Sequence, residues 1–532
     1  MRTRRAHPST PKASSGAGKL LGTGTLLASL VSAGALVALA SACSGGESGA
    51  GGSGAGTGGA GATGGQGGDG LQDFVTSASS SSSSSGSGGD PGPTCPPPSM
   101  ADGKTAFANG YGDAQGQTGL AVSVDKAGNI LLAGAFRGSI TLGGTTLTSA
   151  GEDDAFIAKL LPTGQVAWAQ KFGDARNQSA TGIGTDAEGN VFVTGIFVGN
   201  VNFGGGTLAS NTNFFQDIFL VKFSPNGTHM WSQRFGGSDI DYARALGVDP
   251  SGNVVIGGYF QQQVDFGGGT LTSAGPKFDA FVAKFNPLGQ HLFSKQFGDD
   301  AEQIARSLTV DGTGNIYLAG DASGSVNFGG GAMTATGAPS AFVAKLDPQG
   351  GQVWAKLSGG SGKASATSVA VSPAGTVAVA GQFQGTFDFG GKPITNIDVD
   401  DAFVTVLTAG GAQTFTRTFG DPTAQHGDAV AFAPNGDVLL AGAFTGNVDL
   451  GGGPIASVEG FDMFLGRFDA QDGCLVWGRS YGGPLLQLPQ SLAFDPTTGN
   501  VLMTGSFGGT VDFGLGPVTA AGDDAFLLAV KP

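Results

Sequence analysis

The sequence predicts an all-β fold: a seven-bladed β-propeller of four-stranded antiparallel blades, with an N-terminal strand completing the last blade. Three observations predict it. A glycine-aromatic strand motif recurs seven times at near-constant spacing. Each recurrence sits among four strand-like runs with no helical period. The last unit lacks its fourth run, and the first run of the domain matches the missing one.

The recurring motif is "GNILLAGAF" (Gly128 to Phe136), which returns as "GNVFVTGIF", "GNVVIGGYF", "GNIYLAGDA", "GTVAVAGQF", "GDVLLAGAF" and "GNVLMTGSF". Its inner glycines are Gly134, Gly195, Gly258, Gly320, Gly381, Gly442 and Gly505, spaced by 61, 63, 62, 61, 61 and 63 residues. A fixed period of this kind marks a repeat architecture. In the third unit, strand a is "ARALGVD" (Ala243 to Asp249) and strand b is "NVVIGGYF". Strand c is "DAFVAKF" (Asp279 to Phe285) and strand d is "HLFSKQFG" (His291 to Gly298). The a–b and c–d connections, "DPSGN" and "NPLG", carry turn chemistry. The longer b–c connection contains "VDFGGGTLTS" and predicts a small hairpin. Its glycine loop resembles a phosphate cradle, but it returns, whole or degraded, in all seven units. A nucleotide loop would occur once, between a strand and a helix. The glycines supply turns instead.

Closure follows from the two ends. The chain stops at "DAFLLAVKP", after a strand c, whereas "KTAFANGYGD" (Lys104 to Asp113) matches the strand d "QVAWAQKFGD" of the first unit. The head therefore supplies the tail's outer strand, which removes open sheet edges. Trp168, Trp231, Trp354 and Trp477 share one strand-d position, filled elsewhere by Phe107, Phe293 and Phe415. These aromatics predict blade-to-blade packing. Together, "DxxGN", the glycine-aromatic strand, "VDFGGGxLxS" and "DAFVAKF…PxG…W" resemble the SBBP-type β-propeller repeat of bacterial secreted and surface proteins. The resemblance covers Ala101 to Pro532. It implies a propeller and supplies no catalytic set.

The chain divides into residues 1–42, 43–100 and 101–532. Arg2, Arg4, Arg5, Lys12 and Lys19 precede the apolar run Leu20 to Ala40, as in a secretory signal. A single-span anchor is the alternative. "LASAC", ending at Cys43, resembles a bacterial lipobox. It implies export, cleavage before Cys43 and a diacylglyceryl membrane anchor on that thiol. Ser44 in place of aspartate implies the outer membrane. The Gly/Ser/Pro-rich stretch that follows has almost nothing to bury and reads as a disordered tether.

Acids outnumber bases 41 to 26, and no basic run follows the N-terminus, which excludes nucleic acid as a partner. Three cysteines and four histidines leave little for metal or thiol chemistry, and no cofactor is expected. Asp125, Asp186, Asp249, Asp311 and Asp495 raise calcium as an option. One acid and one Asn in a short turn fit an Asx-type turn better. His229 and His291 have no clustered acids or cysteines. Lys159, Lys222, Lys284, Lys345 and Arg467 share a strand-c site and read as packed stems with solvated or paired heads. Cys95 and Cys474 lie where a bridge would staple the closure; the alternative is two unpaired thiols.

The b–c and d–a connections emerge on one face of a propeller. Unusual side chains gather in them: Phe214, Phe215, Asp239, Asp241, Lys277, Phe278, Asp299, Glu302, Leu485 and Leu486. The first functional expectation is a surface-tethered, non-catalytic binding module for protein or glycan. The alternatives are a propeller hydrolase or lyase with acids near the central channel, and an envelope assembly scaffold. The small, apolar a strands argue against the enzyme.

Overall fold

In blades one to four and six, strands b and c are seven-residue runs in which nearly every residue is buried, as in Ile130–Phe136 and Asp154–Leu160. A strand with one wet face alternates; a strand pressed between two layers does not. These strands form the middle of each blade and are covered by blades on both sides. That is why Val, Ile, Leu and Phe occupy successive positions. Strand d is half-exposed on the outside, as in Val166–Phe172.

The structure, a computed structural model, describes residues 71–73, 95–99, 101–396 and 399–531. The 1–42 segment, Cys43 and most of the 43–100 tether lie outside the described residues. Blade one consists of Gln117–Val124, Ile130–Phe136, Asp154–Leu160 and Val166–Phe172, in the sheet order a-b-c-d. The inner strands of blades two to seven begin at Gln178, Asp241, Gln303, Lys363, Gln425 and Gln487. Each lies against the inner strands of both neighbours, and that of blade seven lies against that of blade one. Across this junction the Val122 N–H donates to Ser491 Oγ at 3.2 Å. In the seventh sheet Thr105–Tyr111 is the outer strand, antiparallel to Pro517–Val530, with Thr105 opposite Val530 and Tyr111 opposite Ala525.

The b–c connection of blades one to six folds into a two-stranded ribbon, such as Gln263–Asp265 with Thr270–Thr272. In the "DFGGG" loop, Asp265 Oδ1 accepts the Gly267 and Gly269 N–H groups at 2.7 and 3.2 Å. Gly267 and Gly269 have φ of 97° and 110°. Phe266 turns inward and is buried against Phe235 and Phe281. The loop is thus a turn pinned by a carboxylate, with a phenylalanine driven between blades. In blade seven the ribbon merges into the long strands Val501–Asp512 and Pro517–Val530.

Strand a carries a β-bulge at one position in every blade. In blade one Gly119 faces Gly134 and Ala121 faces Ala133, so Leu120 has no partner. The same irregularity skips Thr181, Arg244, Arg306, Thr367, Asp428 and Gln490. It accounts for the inner glycines. A Cβ on Gly195 would overlap the Ser179 carbonyl oxygen and lie 2.7 Å from the Phe219 ring. Corresponding strand-a carbonyls crowd the other six inner glycines. Glycine in a strand here marks close backbone approach.

Blades are joined by the strand-d aromatics. Trp168, Trp231 and Trp354 cover Gly227, Gly289 and Gly411 of the next blade's c–d turn, 3.0 to 3.2 Å from where a Cβ would sit. Their indole N–H groups donate to Pro225, Pro287 and Ala409 carbonyls at 3.2, 3.1 and 3.0 Å. The pattern continues through the chain ends. Phe107 covers Gly164 of blade one, and Trp477 covers Gly103. Gly103 occupies the turn position that the broken c–d connection of blade seven would hold, and its φ of 75° is close to the 83° of Gly164.

Cys95 and Cys474 form a disulfide with Cα atoms 5.4 Å apart, linking the start of the domain to the c–d turn of blade six. The Ser99 N–H donates to Val476 O at 2.7 Å alongside it. The stretch expected to be a structureless tether also contributes one strand: Leu71–Asp73 pairs antiparallel with the outer edge of blade six, Leu71 opposite Tyr481. An outer strand presents unpaired backbone groups that a passing segment can take up. The bridge closes a loop of nearly the whole domain, so its loss acts mainly on the unfolded chain. Cys95→Ser is expected to lower stability by about 2–5 kcal/mol, read by denaturant unfolding. Amide exchange should quicken first in Thr105–Tyr111.

Candidate functional site

The hairpins and d–a connections are pinned to each other by a recurring aspartate. Asp299 accepts the Ala301 N–H at 2.9 Å, the Gln303 side-chain amide at 2.7 Å and the Ser325 N–H at 2.6 Å. Asp113, Asp174 and Asp421 do the same in blades one, two and six. Burial opposes ionisation of Asp299, but the Ser325 and Ala301 N–H groups and Gln303 outweigh it and hold the carboxyl below its ordinary range. Asp299 therefore ties loop to hairpin and is not free to receive a partner.

Asp241 also departs from its expected place on the face. It stands where blades one, two, four, six and seven have a buried glutamine, and it is itself fully buried. Its Oδ2 accepts the Gly237 N–H at 2.6 Å, while Oδ1 has no partner. Burial, with the nearby Asp217 carboxylate adding to it, pushes Asp241 up to about 8.

The remaining face residues divide into separate groups. Phe214 is 82% exposed on the blade-two connection, with Phe215 beside it. Lys277 is exposed, whereas Phe278 is half-buried with its ring 5.0 Å from Tyr259. Asp239 and Glu302 are half-buried; Asp239 takes a hydrogen bond from Ser238 Oγ at 2.9 Å. Leu485 and Leu486, 53% and 50% exposed, approach Gly460, two residues from the 58% exposed Val458. Blades seven and one separate this patch, at the junction of blades six and seven, from Phe214. The ten candidates do not form one surface.

The opposite face holds the "DxxGN" turns. Asp249 Oδ1 accepts the Ser251 and Asn253 N–H groups, and Oδ2 accepts Asn253 Nδ2 and pairs with Lys284 Nζ at 2.9 Å. Lys159 and Lys222 pair with Asp125 and Asp186 in the same way, and Arg467 pairs with Asp437. Lys345 lies over the Tyr317 ring. These carboxylates are occupied by the protein's own donors. His229 and His291 sit beneath the glycine hairpins, each against a strand-d serine hydroxyl at 3.1 Å. Among the described residues no group of three or more His, Cys, Asp and Glu could hold a metal.

Sequence reasoning missed the central channel. The unpaired bulge residue of every blade is among the strand-a residues that line a cavity of about 380 Å³ there. Three of the seven are ionisable: Arg244, Arg306 and Asp428. The expectation of a bland inner strand is corrected accordingly. Arg244 stacks 4.5 Å above the Tyr242 ring and 5.8 Å from Tyr259. Arg306 pairs with Asp321, which also accepts Ser365 Oγ at 2.7 Å. Burial pushes Asp428 up to about 7. The available signal was the column itself: Leu, Thr, Arg, Arg, Thr, Asp and Gln at one repeat position, between columns of small residues.

The ring of seven four-stranded blades defines a β-propeller. The family model of the SBBP β-propeller repeat matches residues 292–328. The chain is 26% identical over 245 residues to an uncharacterized WD repeat-containing protein of Acanthamoeba polyphaga mimivirus, covering 38% of this chain and 17% of that one. It is 25% identical over 169 residues to regulatory protein FlaEY of Caulobacter vibrioides, covering 31% of this chain and 18% of that one. The matches thus span less than a fifth of either relative. Among solved structures it is similar to Sqt1 from Chaetomium thermophilum, with TM-score 0.41 and 10% identity over 81% of this chain and 99% of that one. It is also similar to quinohemoprotein alcohol dehydrogenase from Comamonas testosteroni, with TM-score 0.37 and 11% identity over 81% and 76%.

Asp241 generates a pH prediction. The unfolded chain releases this proton near pH 4 and the folded chain near pH 8, so folding retains a proton between those limits. Its contribution to stability therefore falls as pH rises from about 4 to about 8. Asp241→Asn removes that loss. The variant should be more stable than wild type by about 2 kcal/mol or more at pH 9, with the two converging near pH 4 in denaturant unfolding.

Proposed function

We propose that this chain is an exported interaction module whose hairpin face receives a macromolecular partner, protein or glycan. The observation that carries this reading is the apolar patch at the junction of blades six and seven. Val458, Leu485 and Leu486 are each at least half exposed on loops that emerge from an otherwise well-packed scaffold. Grouped exposed apolar side chains on a rigid fold mark interaction sites. Similarity to a WD repeat-containing protein supports a propeller used for contact. The Cys95–Cys474 bridge supports an oxidising compartment. Lipidation of Cys43 at the outer membrane completes the proposal, with the residues between Cys43 and the Leu71–Asp73 strand as the tether. Non-catalytic binding is favoured because Asp321 is already taken by Arg306 and Ser365. Asp428 then lacks the second free carboxylate that paired acid–base hydrolysis uses.

The test is binding of the full mature chain to immobilised envelope proteins and glycans. Leu485→Ser with Leu486→Ser should weaken capture at least about tenfold. Leu288→Ser, at a 74% exposed position on the opposite face, should leave it unchanged. Equal effects at the two faces, or none at either, would reject the hairpin face as the binding surface.

A further inference from the structure

We propose that the mouth of the central channel, on the side of blades three to six, binds a small organic carboxylate through Arg244. This site is separate from the hairpin patch and does not depend on it.

The argument starts from symmetry. The bulge places equivalent residues around one axis, so a channel with only a packing role would carry the same small residue seven times. It does not, and the departures are one-sided. Blades one, two, five and seven contribute Leu120, Thr181, Thr367 and Gln490; blades three, four and six contribute Arg244, Arg306 and Asp428. Two positions earlier on strand a, and opposite it on strand b, the same asymmetry returns. Tyr242 faces Tyr259 in blade three, and Asp321, Ser365 and His426 follow in blades four to six.

Arg244 has an unmet requirement. Its plane rests on Tyr242, and the guanidinium also hydrogen-bonds the Tyr259 side chain. Its Nε is buried and has no hydrogen-bond partner. Among the described residues it makes no ion pair. The nearby Asp321 carboxylate is committed to Arg306 and Ser365. A buried guanidinium held by tyrosines, with no carboxylate in an ion pair to it, lacks a counter-charge that a bound anion supplies. A carboxylate matches the fork of N–H donors with two parallel hydrogen bonds. Asp428 strengthens the preference for an anion, because its raised pKa leaves it largely uncharged below pH 7, when it can donate a hydrogen bond. The cavity of about 380 Å³ admits a single-ring or short-chain acid and excludes a folded partner. Tyr242 and Tyr259 offer an aromatic wall beside the guanidinium, suited to a sugar acid; a short aliphatic acid would use the guanidinium alone.

Calorimetric titration of the full mature chain tests the site with galacturonate, glutarate, galactose and inorganic phosphate. A carboxylate should bind saturably and galactose should not. Tighter binding of galacturonate than glutarate would assign the aromatic wall to a sugar ring; the reverse would assign a short aliphatic acid. Arg244→Gln should weaken the carboxylate at least about tenfold without lowering the melting temperature. The Leu485→Ser, Leu486→Ser pair should leave this affinity intact even if it abolishes partner capture, which separates the two sites. If Arg244→Gln fails to fold, Gln490→Trp, which narrows the channel from another blade, must likewise abolish binding. No saturable carboxylate binding, equal affinity in Arg244→Gln, or phosphate binding in its place would overturn the proposal.

Discussion

A carbonyl pressed against a glycine is the constraint on which this propeller depends. In every blade strand a bulges by one residue, and its carbonyl oxygen meets the inner glycine of strand b. A strand-c phenylalanine closes over most of these glycines, as Phe219 does over Gly195. No side chain fits between them. The contact fixes the register of the a–b pair and increases its local twist. It also leaves one strand-a residue per blade without a pairing partner, among those that line the channel. The same local feature therefore shapes the blade and selects what lines the channel.

The second repeated contact acts between blades. Each strand-d aromatic covers the turn glycine of the next blade, and the series passes through the chain ends at Phe107 and Trp477. The ends themselves are held by backbone pairing, by the Lys531 N–H to Lys104 O hydrogen bond at 2.8 Å and by the disulfide. A closed ring leaves no blade with an uncovered face. The middle strands can therefore be apolar at successive positions without creating an exposed sheet.

Much of this was legible in the residues. The inner glycines, the four runs per unit and the match of Lys104–Asp113 to a strand d all report backbone requirements that recur, and recurrence separates them from noise. The site was less legible, for two physical reasons. Strict alternation along "ARALGVD" misplaces Arg244, because the bulge re-aims the side chain, and no single unit's sequence announces a bulge. The roles of loop acids depend on which donors surround them. Asp299 and Asp241 look alike as loop-proximal carboxylates, yet one is saturated by N–H groups and the other is buried with an oxygen unpartnered. The strand at Leu71–Asp73 was hidden by the low complexity around it.

The most direct measurement compares Gly195→Ala with Gly312→Ala by equilibrium unfolding. Neither glycine needs a positive φ, so the comparison isolates the space around the added methyl. Gly312 has open space where its Cβ would stand, whereas Gly195 has a carbonyl oxygen there. The account predicts a loss of about 2–4 kcal/mol for Gly195→Ala and a change within about 0.5 kcal/mol for Gly312→Ala. Equal stabilities for the two variants would contradict it.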